Sequence, residues 1–181
     1  MRHLSCPPEA ETLGVNFHAF TDNLQGKDVR PIMEKHGVAD LEPLEWYPAI
    51  NLLNALNEVA ENPNMLMNMV AIGMKIGESV PLPPEMENPT LPEVLMAWDA
   101  IYQGIHRKGD MGGIQCIKHG EKHYETIHTV PYPDDMSYGI LYAYGRRFLP
   151  AGSNFTVFYD PNCPARDYGG TSDGTSIQIK W

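Results

Sequence analysis

Several features that mark a catalyst, a nucleic-acid binder or a membrane protein are scarce or missing in this sequence. There are three cysteines in 181 residues, Cys6, Cys116 and Cys163, too few and too odd a set for a disulfide framework. No run of about 18 apolar residues occurs, so no membrane-spanning helix is expected. No basic segment leads into an apolar stretch, so no secretory signal is expected and the chain reads as cytoplasmic. On that reading the sequon Asn154-Phe155-Thr156 is accidental. Positive charge is scarce, with 13 Lys and Arg against 23 Asp and Glu and a net charge of −10. That balance argues against the basic stripe a nucleic-acid partner needs and disfavours an anionic membrane surface. The Gly-x-Ser-x-Gly elbow, the His-Glu-x-x-His zinc motif and the dinucleotide fingerprint are all absent. An enzyme reading therefore starts without support.

Proline and glycine are plentiful, at 16 each, and long connections follow from that. A chain of this length buries about two-thirds of its unfolded surface. It reads as one sensory domain over residues 1–181, mainly helical over 1–89, with a helix and an antiparallel sheet over 90–181. The first dozen residues read as a loose arm. Helices are expected from Gly14 to Leu24 and from Asp28 to Lys35, the second stopped by His36-Gly37, a glycine C-terminal signal. Ile50, Leu53, Leu56 and Val59 recur at helical spacing after Pro48, and Asn62-Pro63 breaks that helix. Met65, Met69, Ile72 and Ile76 mark another, ending near Gly77. Its methionines, Met65, Met67, Met69 and Met74, suit either an adaptable pocket or ordinary core packing.

Pro81–Pro89 reads as an irregular connection. Thr90-Leu91-Pro92-Glu93 then has the form of a capping box. Leu91, Val94, Leu95, Trp98, Ile101, Tyr102 and Ile105 continue it as one apolar face, so a helix is expected over Thr90–Arg107. Strands follow at Ile114–Lys118 and His123–Val130 around a Gly120-Glu121-Lys122 turn. A helix over Asp134–Phe148, a strand over Phe155–Tyr159 and a last strand over Ser176–Trp181 complete the chain. The order is helices, then strand–strand–helix–strand–strand, which is an α+β fold with a small antiparallel β-β-α-β-β unit.

Five constellations bear on chemistry. His106, four residues after Tyr102 and near Trp98, suits a haem axial ligand; a helix-end histidine facing water and the helix dipole is the plain alternative. Cys116, His119, His123 and His128 have zinc-like residue types, but their opposite parity on regular strands makes surface hairpin positions the default. Tyr142 and Arg146 stand four apart on one helix and can reach one anionic group; an arginine stacked on a tyrosine is the alternative. Asp134-Asp135 after Pro133 read as a helix N-cap, and Tyr168–Gly174 as a hairpin connection.

The C-terminal pattern resembles a superfamily of haem-nitric-oxide/oxygen-binding (H-NOX) domains, 4-vinyl-reductase-like domains and trafficking-complex subunits. A strand at Phe155–Tyr159, then Asp160, Cys163, Gly169-Gly170 and a final strand match the vinyl-reductase-like pattern, with Thr175-Ser176 near the place of that pattern's second cysteine. H-NOX domains carry a Leu-Asp-x-Leu-His stretch whose histidine binds haem iron. Here Trp98-Asp99-Ala100-Ile101-Tyr102 stands there, which implies Tyr102 as ligand, with His106 one turn on as the other candidate. Their Tyr-x-Ser-x-Arg propionate motif looks like Tyr142-Ala143-Tyr144-Gly145-Arg146, with tyrosine in place of serine.

The resemblance implies a haem-binding sensor that detects a small molecule or gas and signals through a partner protein or a homodimer, without nucleic acid or membrane. His106 (or Tyr102) would hold the iron, Tyr142 and Arg146 the propionates, and Trp98 would line the pocket. A non-haem small-molecule or lipid-binding or scaffold domain is the alternative, and a tetrapyrrole-modifying enzyme such as a vinyl reductase the third.

Overall fold

A computed structural model describes residues 2–21, 29–62 and 68–181. The parts of the sequence reading that fall on Met65, Met67, Pro63 and residues 22–28 lie outside the described residues. Among the described residues the fold is α+β, with six α-helices and two antiparallel sheets.

The first sheet was not legible in the sequence. It joins β1 (Glu11–Leu13), β2 (Trp46–Pro48) and β3 (His106–Arg107) in the order β2-β1-β3. Thr12 faces Tyr47 on one side and His106 on the other. Pro48 sits on an edge strand, where its missing N–H is tolerated. The arm before β1 is not loose: Leu4 and Ala10 are buried. The Asn57 side chain accepts from the Leu4 N–H and donates to the Leu4 carbonyl, at 2.9 and 2.8 Å.

α1 (Gly14–Thr21) and α2 (Arg30–Lys35) follow, and α2 stops where Gly37 takes φ +65°. α3 (Ala49–Glu61) buries Leu52, Leu53, Leu56 and Val59 completely. α4 (Met69–Ser79) starts at Asn68, whose side chain accepts from the Ala71 N–H, an ordinary N-cap. α5 (Leu91–Gly104) starts where the Glu93 carboxylate accepts from the Thr90 N–H and hydroxyl, each at 2.7 Å. It is shorter than its apolar period suggests. Gly104 ends it, Ile105 caps it, and His106 already belongs to β3.

The second sheet has the order β4-β5-β7-β6, from β4 (Ile114–Gly120), β5 (His123–His128), β6 (Thr156–Tyr159) and β7 (Thr175–Lys180). Asp99 of α5 aims β4, accepting from the Ile114 N–H at 2.8 Å. α6 (Asp134–Phe148) packs against this sheet and α5 and most closely against α4. There the helices touch backbone to backbone. A Cβ on Gly73 would sit 2.0 Å from the Met136 carbonyl oxygen, and one on Gly139 would sit 2.1 Å from that of Val70. Arg147 adds hydrogen bonds to the Gly77 and Val80 carbonyls at the end of α4. The apolar core runs unbroken from α3 through α5 and α6 to Ile177 and Ile179 of β7.

Candidate functional site

A cavity of about 50 Å³ lies where α4, α5, α6 and the chain around β3 converge. α5 contributes Trp98, Ile101 and Tyr102; α4 contributes Ile76; α6 contributes Met136, Ser137, Ile140 and Tyr144. Asn16, His106 and Tyr132 complete its polar rim, and none of the lining residues is Lys or Arg.

His106 is buried, at 7% exposure. Its Nδ1 lies 2.7 Å from the Tyr102 carbonyl oxygen and its Nε2 lies 2.9 Å from the Tyr132 hydroxyl. A carbonyl only accepts, so Nδ1 carries the proton and the bare Nε2 accepts from Tyr132. Burial pulls the His106 pKa down to about 4, so the ring is neutral at neutral pH. The Tyr102 hydroxyl donates to the Met111 carbonyl at 2.6 Å, and burial raises its pKa far above the usual phenol value. The Tyr102 and His106 rings meet at 4.2 Å, although a helix no longer joins the two residues.

Trp98, Tyr102 and His106 are thus brought together. Tyr142 and Arg146 are not at the cavity: Tyr142 packs on Phe155 at 5.1 Å and Arg146 is exposed. They point away because Tyr144, between them, takes the inner face of α6 against Trp98 at 5.0 Å.

The hairpin residues also part company. His119 and His123 stack at 4.8 Å at the hairpin end, hydrogen bonded to Glu125 and Gln178. Cys116 lies opposite Thr126 on the inner side. His128 is not a surface residue: it is fully buried, edge-on to Trp98 at 4.9 Å. Thr126 gives its hydroxyl proton to Ile177, so it accepts from His128 Nε2 and leaves His128 Nδ1 with no partner. Burial takes the His128 pKa down to about 3. Among the described residues no group of three or more His, Cys, Asp and Glu is placed to hold a metal ion.

Sequence reasoning missed the groups behind the cavity wall. Asp134 does not cap its own helix. Its buried carboxylate accepts from Arg166 at 2.6 Å, Thr175 at 2.7 Å, the Asp167 N–H at 3.0 Å and Arg2 at 3.3 Å. Asp167 instead caps α6, accepting from the Asp134 N–H, and also pairs with Arg2 at 2.8 Å. Arg2 donates onward to the Tyr132 carbonyl at 2.6 Å. The only local signal was Tyr132 itself, held between Pro131 and Pro133, where the backbone is stiff.

No protein-family model matches the sequence, and no curated protein matches it. Solved structures do match. An H-NOX protein from S. oneidensis in the Fe(II)NO ligation state superposes with a TM-score of 0.65 at 15% identity, over 93% of this chain and 98% of that one. A structure concerned with haem redox potential modulated through protein-induced porphyrin distortion gives 0.64 at 16% identity, over 93% and 97%. A third, probing the function of haem distortion in the H-NOX family, gives 0.65 at 16% identity, over 93% and 92%. The chain therefore has an H-NOX-like α+β fold.

Proposed function

We propose that this chain is a haem-binding sensor domain in which His106 holds the iron. The observation that carries the reading is the neutral His106 ring, fixed by its Nδ1–H on the Tyr102 carbonyl. Its bare Nε2 is directed to the Tyr132 hydroxyl at the rim of an apolar cavity. A metal-binding histidine commonly gives its second N–H to a backbone carbonyl in this way. The H-NOX-like fold supports the same reading. Tyr102 fits iron less well, because its hydroxyl is spent on Met111 and its phenolate is disfavoured by burial. Trp98 stays a wall of the site. Tyr142 and Arg146 would need a ligand edge that reaches the far side of α6.

The space sets a condition. Pockets for drug-sized ligands run from about 300 to 1,000 Å³, and this cavity is about 50 Å³. A porphyrin would enter only if α5 moved from the glycine-joined α4–α6 pair and Tyr132 released His106. Bound there, haem supplies an iron that a diatomic gas can ligate. The chain's own part is to orient His106, exclude water and shift between two packings. On this reading the protein is a sensor, not an enzyme, and its signal passes to a partner.

The small cavity and its lack of Lys or Arg favour one second reading, a haem-free sensor of a small apolar molecule. A visible spectrum after haemin addition separates the two. The haem reading expects a sharp Soret band at one haem per chain, lost in His106→Ala and kept in Tyr102→Phe. A colourless protein, or haem retained in both variants, would sink it.

A further inference from the structure

The segment from Arg2 to Thr12 begins and ends at the same site. At its far end Thr12 pairs with His106 across β1 and β3, and its hydroxyl donates to the Ile105 carbonyl. At its near end Arg2 donates to the Tyr132 carbonyl at 2.6 Å and to the Val130 carbonyl at 3.3 Å. The Tyr132 hydroxyl returns to His106 Nε2. A closed circuit results, running His106, Thr12, Arg2, Tyr132 and back. Between the ends Leu4 is pinned by both hydrogen bonds to Asn57. Arg2 is neutralised where it lies by Asp134 and Asp167.

We propose that residues 2–12 are a strap held shut by the Tyr132–His106 hydrogen bond, so that a ligand seated on His106 is read out as release of the N-terminal arm. This deepens the sensor reading and rests on it for the event that moves Tyr132. The coupling follows from packing. Tyr132 is 3% exposed, edge-on to Tyr102 and close against His106. The vacant space beside its ring is the cavity that the ligand itself would take. Its two proline neighbours restrict the backbone, so a displaced ring carries its own carbonyl away from Arg2. Arg2 then keeps its acidic partners only by stretching the strap, and Leu4 and Cys6 lie in the stretched part.

Cys6 supplies the readout. It is half-buried, and burial with the nearby Glu9 charge raises its thiol pKa, so alkylation is slow while the strap is shut. Site-resolved labelling of the full chain with iodoacetamide, followed by peptide mass, uses Cys116 and Cys163 as internal references. Tyr132→Phe removes one buried hydrogen bond and should speed Cys6 labelling by about tenfold. Arg2→Gln should do at least as much, and the double variant should add nothing, since both act through one circuit. Cys6 reacting at the wild-type rate in Tyr132→Phe overturns the strap. Adding haemin separates it from the haem reading. A Soret band with unchanged Cys6 labelling overturns the strap alone. No Soret band, with Cys6 still fast in Tyr132→Phe, removes haem and leaves the strap standing.

Discussion

His106 and His128 are both buried as neutral rings, with pKa values taken down to about 4 and about 3 by burial. The unfolded chain protonates near the ordinary value of 6.5. Between that pH and the folded values it binds protons the native state refuses, so stability falls as pH falls through this window. The slope approaches about 1.4 kcal/mol per pH unit for each ring. Denaturation midpoints at pH 7 and pH 5 should differ, and the difference should shrink in His106→Gln; equal loss in the variant would remove His106 from the account. Asp134 works at lower pH. Burial pushes its carboxyl up, but hydrogen bonds from Thr175 and Arg166, the Arg166 charge and the Asp167 N–H outweigh that and hold it below the ordinary value of 3.8. A depressed carboxylate stabilises above its unfolded pKa, and that contribution is lost as pH falls through the folded one. Asp134→Ala leaves the largely buried Arg166 guanidinium without a carboxylate, while Arg2 keeps Asp167, and should cost about 3–5 kcal/mol at neutral pH, measurable by chemical denaturation.

Among the elements, the α4–α6 crossing is the contact that tolerates least change. Gly73 and Gly139 each face a carbonyl oxygen of the other helix. Gly73→Ala must push the helices apart and should destabilise by about 1–3 kcal/mol or more. Gly104, at the end of α5, has nothing within 4 Å of its added Cβ. Gly104→Ala should be neutral or stabilise by up to about 1 kcal/mol through the unfolded state. Thermal melts of the two variants check this directly, and similar shifts for both would contradict the close approach. The crossing also settles which wall can open. α4 and α6 are held backbone to backbone, so on the proposed sensor reading room for a larger ligand would come from α5 and from β3 with the arm it pairs with.

At the scale of the molecule, the legible parts are those where one element carries its own pattern. α5 and α6 show an apolar period over more than three turns, and β5 alternates after the glycine turn that pairs it with β4. The first sheet shows neither, because strands of two or three residues are too short to alternate. His106 was visible as a candidate because Tyr102 stands four residues before it. Its partner Tyr132 lies 26 residues on, and Arg2 reaches Tyr132 across 130 residues. No local pattern encodes such a meeting, which arises only when the arm docks. For the same reason Asp134 reads as a cap in the sequence and serves as a buried counter-ion in the fold. Among the described residues, no helix is long and apolar enough to cross a membrane.

The glycine-joined helix pair and the cavity beside it differ in compressibility. Backbones already in contact have no volume to surrender. A void of about 50 Å³ amounts to about 30 mL per mole, within the range of volume changes on unfolding. Hydrostatic pressure should therefore act on the α5 side first. Water would enter around His106 while α4 and α6 stay joined, and amide signals of α5, β3 and the arm would shift at pressures that leave those of α4 unmoved.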